Sequence, residues 1–145
     1  MSTLEKNLYK RVSVTSGPQQ ATNSRAYRGF STVNQSTEGY ALYDFELIKQ
    51  DIINHFHIRQ GEKLSDPQFG TIIWDLLFEP FTDVVKDSIV QNVTAIVNYD
   101  PRVSVNQIIV DTYESGITVD CTISYLPYNI SEQLLFRFDQ AFANK

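Results

Sequence analysis

The stretch from Gly61 to Phe81, GEKLSDPQFGTIIWDLLFEPF, constrains the fold more than any other part of this chain. Phe69, Ile72, Ile73, Leu76 and Leu77 recur at helical spacing, and Trp74 adds a further large apolar surface. Pro80 blocks simple continuation of a helix. Gly61 reads as the stop of a preceding helix, because glycine takes the left-handed backbone that closes one. Asp66 precedes a proline and is pushed to extended geometry, so Leu64 to Pro67 read as a turn. The expectation is a short apolar helix within residues 69–78, too greasy for the surface, around which the remaining elements pack.

A chain of 145 residues fits one domain with a core that needs no staples. The single cysteine, Cys121, excludes an internal disulfide framework and a cysteine-based metal cluster. No run approaches the roughly 18 apolar residues of a membrane span. The opening MSTLEKNLYKRV lacks a signal peptide's apolar segment, so the expectation is a protein made in a reducing cytoplasm. Charge is unevenly spread: residues 1–40 carry +3 and residues 41–145 carry −8. An acidic body argues against nucleic acid as the main ligand, since phosphate contacts need concentrated Lys and Arg.

Two amphipathic helices flank the central stretch. Asp44 suits an N-cap, with Glu46 in the first turn. Phe45, Ile48, Ile52 and Phe56 follow one face of a helix that reaches about His57. Thr82 caps another helix, in which Val85, Ile89, Val93 and Ile96 form a stripe ending near Asn98. His55 and His57 point to opposite sides of a helix, so metal ligation is not the expectation.

Beyond Asp100-Pro101-Arg102 the period changes to that of a sheet. Val103 and Val105 share one parity and Ile108 and Val110 the other, which requires a bulge near Asn106-Gln107. Glu114-Ser115-Gly116 fits a hairpin loop with a left-handed glycine. Ile117, Val119, Cys121, Ile123 and Tyr125 alternate with polar residues, so one face of that strand is buried and Cys121 is a small core residue. Residues 131–139 suit a strand or a helix; a third strand from Leu134 to Phe138 is preferred. The fold class expected is α+β: three helices packed on a small antiparallel sheet, with an extended N-terminal arm.

That arm, residues 1–39, is polar and rich in Ser, Thr, Asn and Gln, and residues 40–145 form the folded body. Such composition alone also fits a disordered tail. Spaced anchors, Leu4, Leu8, Tyr9, Tyr27, Phe30 and Val33, favour an arm that orders on a partner.

Chemistry is sparse. Glu62, Asp66, Asp75 and Glu79 are the carboxylates from which a glycosidase pair could be drawn. Turn formation, capping and solvation account for them equally well, and Glu79 before Pro80 can also meet a partner's cation. No Ser-His-Asp, Cys-His or phosphate-loop pattern is present. Neither catalytic residues nor a metal, cofactor or small-molecule substrate are expected. Asp100-Pro101-Arg102 is the sharper candidate: a helix ends, proline stiffens the backbone, and a guanidinium fork is presented for carboxylates or carbonyls. The plainer alternative is a helix–strand junction with a surface arginine.

The order Gly61-Glu62, then Asp66-Pro67-Gln68-Phe69-Gly70, then Trp74 to Pro80 (WDLLFEP), then Asp100-Pro101-Arg102 resembles the baseplate-wedge family of contractile phage tails. The family includes a type VI secretion baseplate component and was historically called lysozyme-like; the resemblance covers roughly Tyr40 to Tyr125. It implies a structural subunit of the virion tail baseplate, assembled in the host cytoplasm. It also implies that a Glu-Pro-Arg motif, here Asp100-Pro101-Arg102, seats the subunit on the helical core bundle of the wedge. Sheath and tube-proximal baseplate proteins are the further partners implied, with the last strand offering an edge for strand addition. Asp100 stands where the family has glutamate, one methylene shorter. The rivals are a peptidoglycan-cleaving lysozyme and a cytoplasmic adaptor.

Overall fold

The computed structural model describes residues 12–16, 27–31, 41–126 and 128–143. The arm supplies β1 (Val12–Ser16) and β2 (Arg28–Phe30), and β3 (Ala41–Tyr43) pairs with β2. Then follow α1 (Asp44–His57), α2 (Ile73–Leu76) and α3 (Asp83–Asn98). The chain closes with β4 (Val103–Tyr113), β5 (Gly116–Tyr125), β6 (Ile130–Asp139) and α4 (Gln140–Ala143). The α+β class stands, but among the described residues there are four helices and two sheets rather than three helices on one sheet.

The larger sheet runs β1-β6-β5-β4, all antiparallel. Its inner face is laid down by alternation: Ile117, Val119, Cys121, Ile123 and Tyr125 of β5 are buried, as are Leu134, Phe136 and Phe138 of β6. The register of β4 on β5 slips between Val105 and Gln107, so the parity break in the sequence is a bulge at Asn106. Its side-chain amide donates to Ser124 Oγ at 2.6 Å on the outer face.

Against this face pack α1, through Ile48, Ile52 and Phe56, and α3, through Ile89, Val93, Ile96 and Val97. Thr82 caps α3 as expected, its hydroxyl accepting from Val85 N. Phe56 meets Phe136 and Phe138 with ring centroids 4.8 and 5.5 Å apart. Trp74 closes the end of this layer, 5.2 Å from Phe138, and its indole N–H donates to Phe56 O at 2.8 Å. Such a donor is rarely buried without a partner.

The central stretch is less helical than its spacing suggests. Only Ile73–Leu76 is a helix; Thr71 forms a parallel bridge with Arg59, and Phe69 lies beside it in irregular chain. Phe69, Ile73, Trp74 and Leu77 are nevertheless buried, so the plug is real while its regular helix is one turn. Gly70 explains the break. Its φ is 129°, and a Cβ there would stand 2.6 Å from the Arg59 carbonyl carbon. Asn92 of α3 pins the same loop, donating to Gly70 O at 3.0 Å and accepting from Ile72 N at 3.2 Å.

Two further expectations are corrected. Gly61, φ 93°, shapes the turn after α1, whereas the helix itself ends at His57 with Ile58 extended. Gly116 is the first residue of β5 and is not left-handed; a Cβ there would lie 1.9 Å from Phe138 O, so close strand approach demands the glycine.

The last strand is not a free edge. It spans Ile130–Asp139, longer than Leu134 to Phe138, and its outer side pairs with β1 from Val12↔Phe138 to Ser16↔Leu134. A segment of the arm has taken the position expected for a strand from a partner. The remaining arm anchors Leu4, Leu8, Tyr9 and Val33 lie outside the described residues.

Candidate partner-binding site

Arg102 sits where α3 has ended and β4 is about to begin. Asp100 N donates to Val97 O and Val103 N to Asp100 O, so Asp100-Pro101-Arg102 turns a tight corner. Within it the Asp100 carboxylate, 6% exposed, accepts from Arg102 backbone N at 2.9 Å and from Arg102 Nε at 2.9 and 3.1 Å. Arg102 Nη2 reaches Asp100 Oδ2 at 2.5 Å and Asp51 Oδ2, on α1, at 2.6 Å. Tyr27 from the arm stacks against the guanidinium, with its ring centroid 5.4 Å from Cζ. Arg102 is 22% exposed in this clasp.

The electrostatics follow from the geometry. Burial disfavours charge on Asp100, but the hydrogen bonds and charge of Arg102 outweigh it and hold its carboxyl below the usual range. The Asp100 hydrogen bonds, aided by Asp51 and opposed by burial, hold the guanidinium charged. Among the described residues Arg102 makes its hydrogen bonds through its backbone N, Nε and Nη2, and none through Nη1.

Tyr27 is held by a second device. Asp44, 4% exposed and left-handed at φ 45°, accepts from Tyr27 N at 2.9 Å and from Tyr128 OH at 3.0 Å. Asp44 N donates back to Tyr27 O at 3.0 Å. The expected N-cap is therefore not made: the carboxylate is drawn from its own helix to the arm and the β5–β6 connection. Beside it, Lys49 is buried against Glu132 of β6 at 2.9 Å, with Glu46 at 3.6 Å. Tyr125 OH donates to Glu132 at 3.1 Å. Burial first, then the Glu132 charge, push the Tyr125 phenol above its ordinary range.

His55, one turn beyond Asp51, is edge-on to Phe69 and Tyr99 at 5.1 and 5.8 Å. Desolvation lowers its pKa, against the pull of Asp51 and Asp100. Lys63 caps the cluster, its ammonium 4.5 Å from the Phe69 centroid and 3.1 Å from Tyr99 OH. Among the described residues no group of three or more His, Cys, Asp and Glu gathers to hold a metal.

The structure thus brings together Asp100, Pro101, Arg102 and Tyr27. Phe30 lies on β2, 70% exposed, and Glu79 lies apart in the α2–α3 connection. Of the glycosidase candidates, Glu62 accepts from Arg59 N at 2.8 Å as a turn cap. Asp75 is 65% exposed, 3.9 Å from Arg59. Sequence reasoning missed Asp51, whose only signal was an acidic residue off the apolar stripe of α1. It also missed Asp44 as a tether.

Residues 44–128 match the family model of baseplate wedge protein gp25, more than half of the 145 residues. The chain belongs to the baseplate wedge protein gp25 family. The resemblance in the motifs from Gly61 to Arg102 is thereby shown. Within this gp25-family chain the Asp100–Arg102 corner and Asp51 fall inside the matched region; Tyr27 and Phe30 fall outside it. It is similar to baseplate wedge protein gp25 of Enterobacteria phage T4, 35% identical over 57 residues, which span 39% of this chain and 43% of that protein. The match thus covers less than half the length of that relative. A crystal structure of a putative tail lysozyme from Geobacter sulfurreducens has the same fold. Its TM-score is 0.56 at 21% identity, covering 75% of this chain and 96% of that one. No described helix is long and apolar enough to cross a membrane.

Proposed function

We propose that this gp25-family chain is a non-enzymatic structural subunit of a contractile phage tail baseplate wedge, working in the virion and assembled in the host cytoplasm. It seats on the helical core bundle of the wedge through the Asp100-Pro101-Arg102 corner. The observation that carries this reading is the preset guanidinium. Two carboxylates and an aromatic ring fix its plane before any partner arrives, so little side-chain entropy remains to be lost on docking. Arg102 Nη1 then meets a carboxylate or helix C-terminal carbonyl of the bundle. Tyr27, Phe30 and Glu79 extend the grip, and residues 1–39 serve as a partner-binding arm on a body of residues 40–145.

The subunit also helps to start the tail sheath. Strand addition at β6 requires β1 to leave first, whereas the outer side of β4 carries no paired strand among the described residues.

Co-expression with candidate wedge proteins, followed by sizing, tests the seat. Arg102→Ala should still fold, with lower stability because Asp100 is left buried without its cation, and should abolish the complex; a normal complex would remove the corner from the interface. The rival peptidoglycan-cleaving reading predicts dye release from cell walls that is lost in Glu62→Gln or Glu79→Gln.

A further inference from the structure

The connection between α2 and α3, together with the first turn of α3, exposes more apolar side chain than a free surface turn needs. Phe78 is 57% exposed, Phe81 39% and Val84 75%, all within seven positions. Asp75, Glu79, Asp83 and Asp87 flank them along the chain, all exposed; Lys86 is the one cation between residues 75 and 87, and Arg59 stands 3.9 Å from Asp75. Clustered aromatics with like-charged neighbours mark a docking surface for a cationic segment that carries apolar side chains.

The chain supplies such a segment next to this surface. Val12 pairs with Phe138, so β1 begins at the C-terminal end of β6. Two residues beyond Phe138, Gln140 Nε2 donates to Leu77 O at 2.7 Å, which places Phe78 beside that end. Residues 1–11 lie outside the described part. They carry Lys6, Lys10 and Arg11 against Glu5, together with Leu4, Leu8 and Tyr9. Eleven residues reach on the order of 35 Å when extended, ample to cross the patch.

We propose that residues 1–11 of the same molecule dock on the Phe78–Val84 surface, their apolar side chains on Phe78, Phe81 and Val84 and their cations among the four carboxylates. The inference does not depend on the Arg102 corner. It makes the first cation that Glu79 meets one from its own chain.

The test is paramagnetic broadening in the full-length protein. A nitroxide is attached at Ser2→Cys; Cys121 is buried with its thiol pushed up to about 12, so native labelling is selective. Backbone amides at Phe78, Phe81 and Val84 should lose intensity, while Tyr99 and Leu126, at the opposite end of the sheet, keep theirs. Asp83→Lys combined with Asp87→Lys should restore the lost signals without changing the core spectrum. Salt near ~1 M, where the screening length is ~3 Å, should restore part of them. No loss, a loss spread evenly over the surface, or a loss seen only when labelled and isotope-enriched molecules are mixed would each overturn the proposal, the last by assigning the surface to a second copy.

Discussion

Asp51 on α1 and Arg102 at the head of β4 meet at 2.6 Å, joining the helical layer to the sheet at the corner proposed to seat the subunit. Asp100 already holds Nε and Nη2 as a fork within its own turn. The second carboxylate, brought from 51 positions earlier, ties that fork to α1.

Asp51→Ala should therefore separate stability from assembly. Asp51 is 35% exposed, so solvent screens the pair and its loss should cost no more than about 1 kcal/mol in urea unfolding. Assembly should suffer more, because Arg102 must be ordered again at docking. Side-by-side sizing of wedge complexes from the variant and the parent checks this.

Acid should weaken the fold in two stages. The folded His55 has a pKa below 6.5, so the unfolded chain takes up that proton first. Stability falls as pH drops through 6.5 toward the folded value and then levels. Asp100 is also lowered in the fold, so its contribution is complete above 3.8 and is lost as pH falls below that. Urea midpoints across pH should show both steps, His55→Gln removing the upper one and Asp100→Asn the lower.

Lys49 and Glu132 are the buried pair to dissect, with side chains 6% and 10% exposed. Removing Lys49 strands the Glu132 charge, and Lys49→Met alone should cost about 3–5 kcal/mol. Lys49→Met with Glu132→Leu should recover most of that, since the desolvation penalty disappears with the charges. Tyr125 OH then loses its acceptor, so recovery should be incomplete. A double-mutant cycle by chemical denaturation measures the coupling.

Gly70→Ala should be among the most damaging loop changes, because Gly70 is buried. Its backbone angle is unfavourable for an alanine, and the new Cβ meets Arg59 main chain, which cannot step aside. A loss of at least about 2 kcal/mol is expected in thermal or urea unfolding.

The sequence was most informative where one periodicity governed a whole element. The stripe of α3, the alternation of β5 and the parity break at Asn106 each translate directly into the fold, because burial on one face leaves one register. It failed where contacts between distant residues outweighed local preference. The apolar run at Phe69–Phe78 has helical spacing, yet Gly70 packs against Arg59 and limits the helix to Ile73–Leu76. Asp44 has the chemistry of a cap and becomes a tether. The Asp100–Arg102 corner was legible from a helix end, a proline and a fork; Asp51 and the Tyr27 ring were not, since nothing local links them to residue 102. β1 was illegible for a related reason. Val12–Ser16 alternates too briefly to stand out, and it becomes a strand only because β6 is there to pair with it.

Helix α3 has a consequence for architecture. The Phe78–Val84 patch lies at its start and Arg102 just past its end, and its 16 residues rise about 24 Å. With Ile89, Val93, Ile96 and Val97 locked into the core, that strut cannot bend without opening the molecule. The surface proposed for residues 1–11 and the corner proposed as the seat are thus held at a set gauge, so a displacement at one extremity would be carried along the strut to the other.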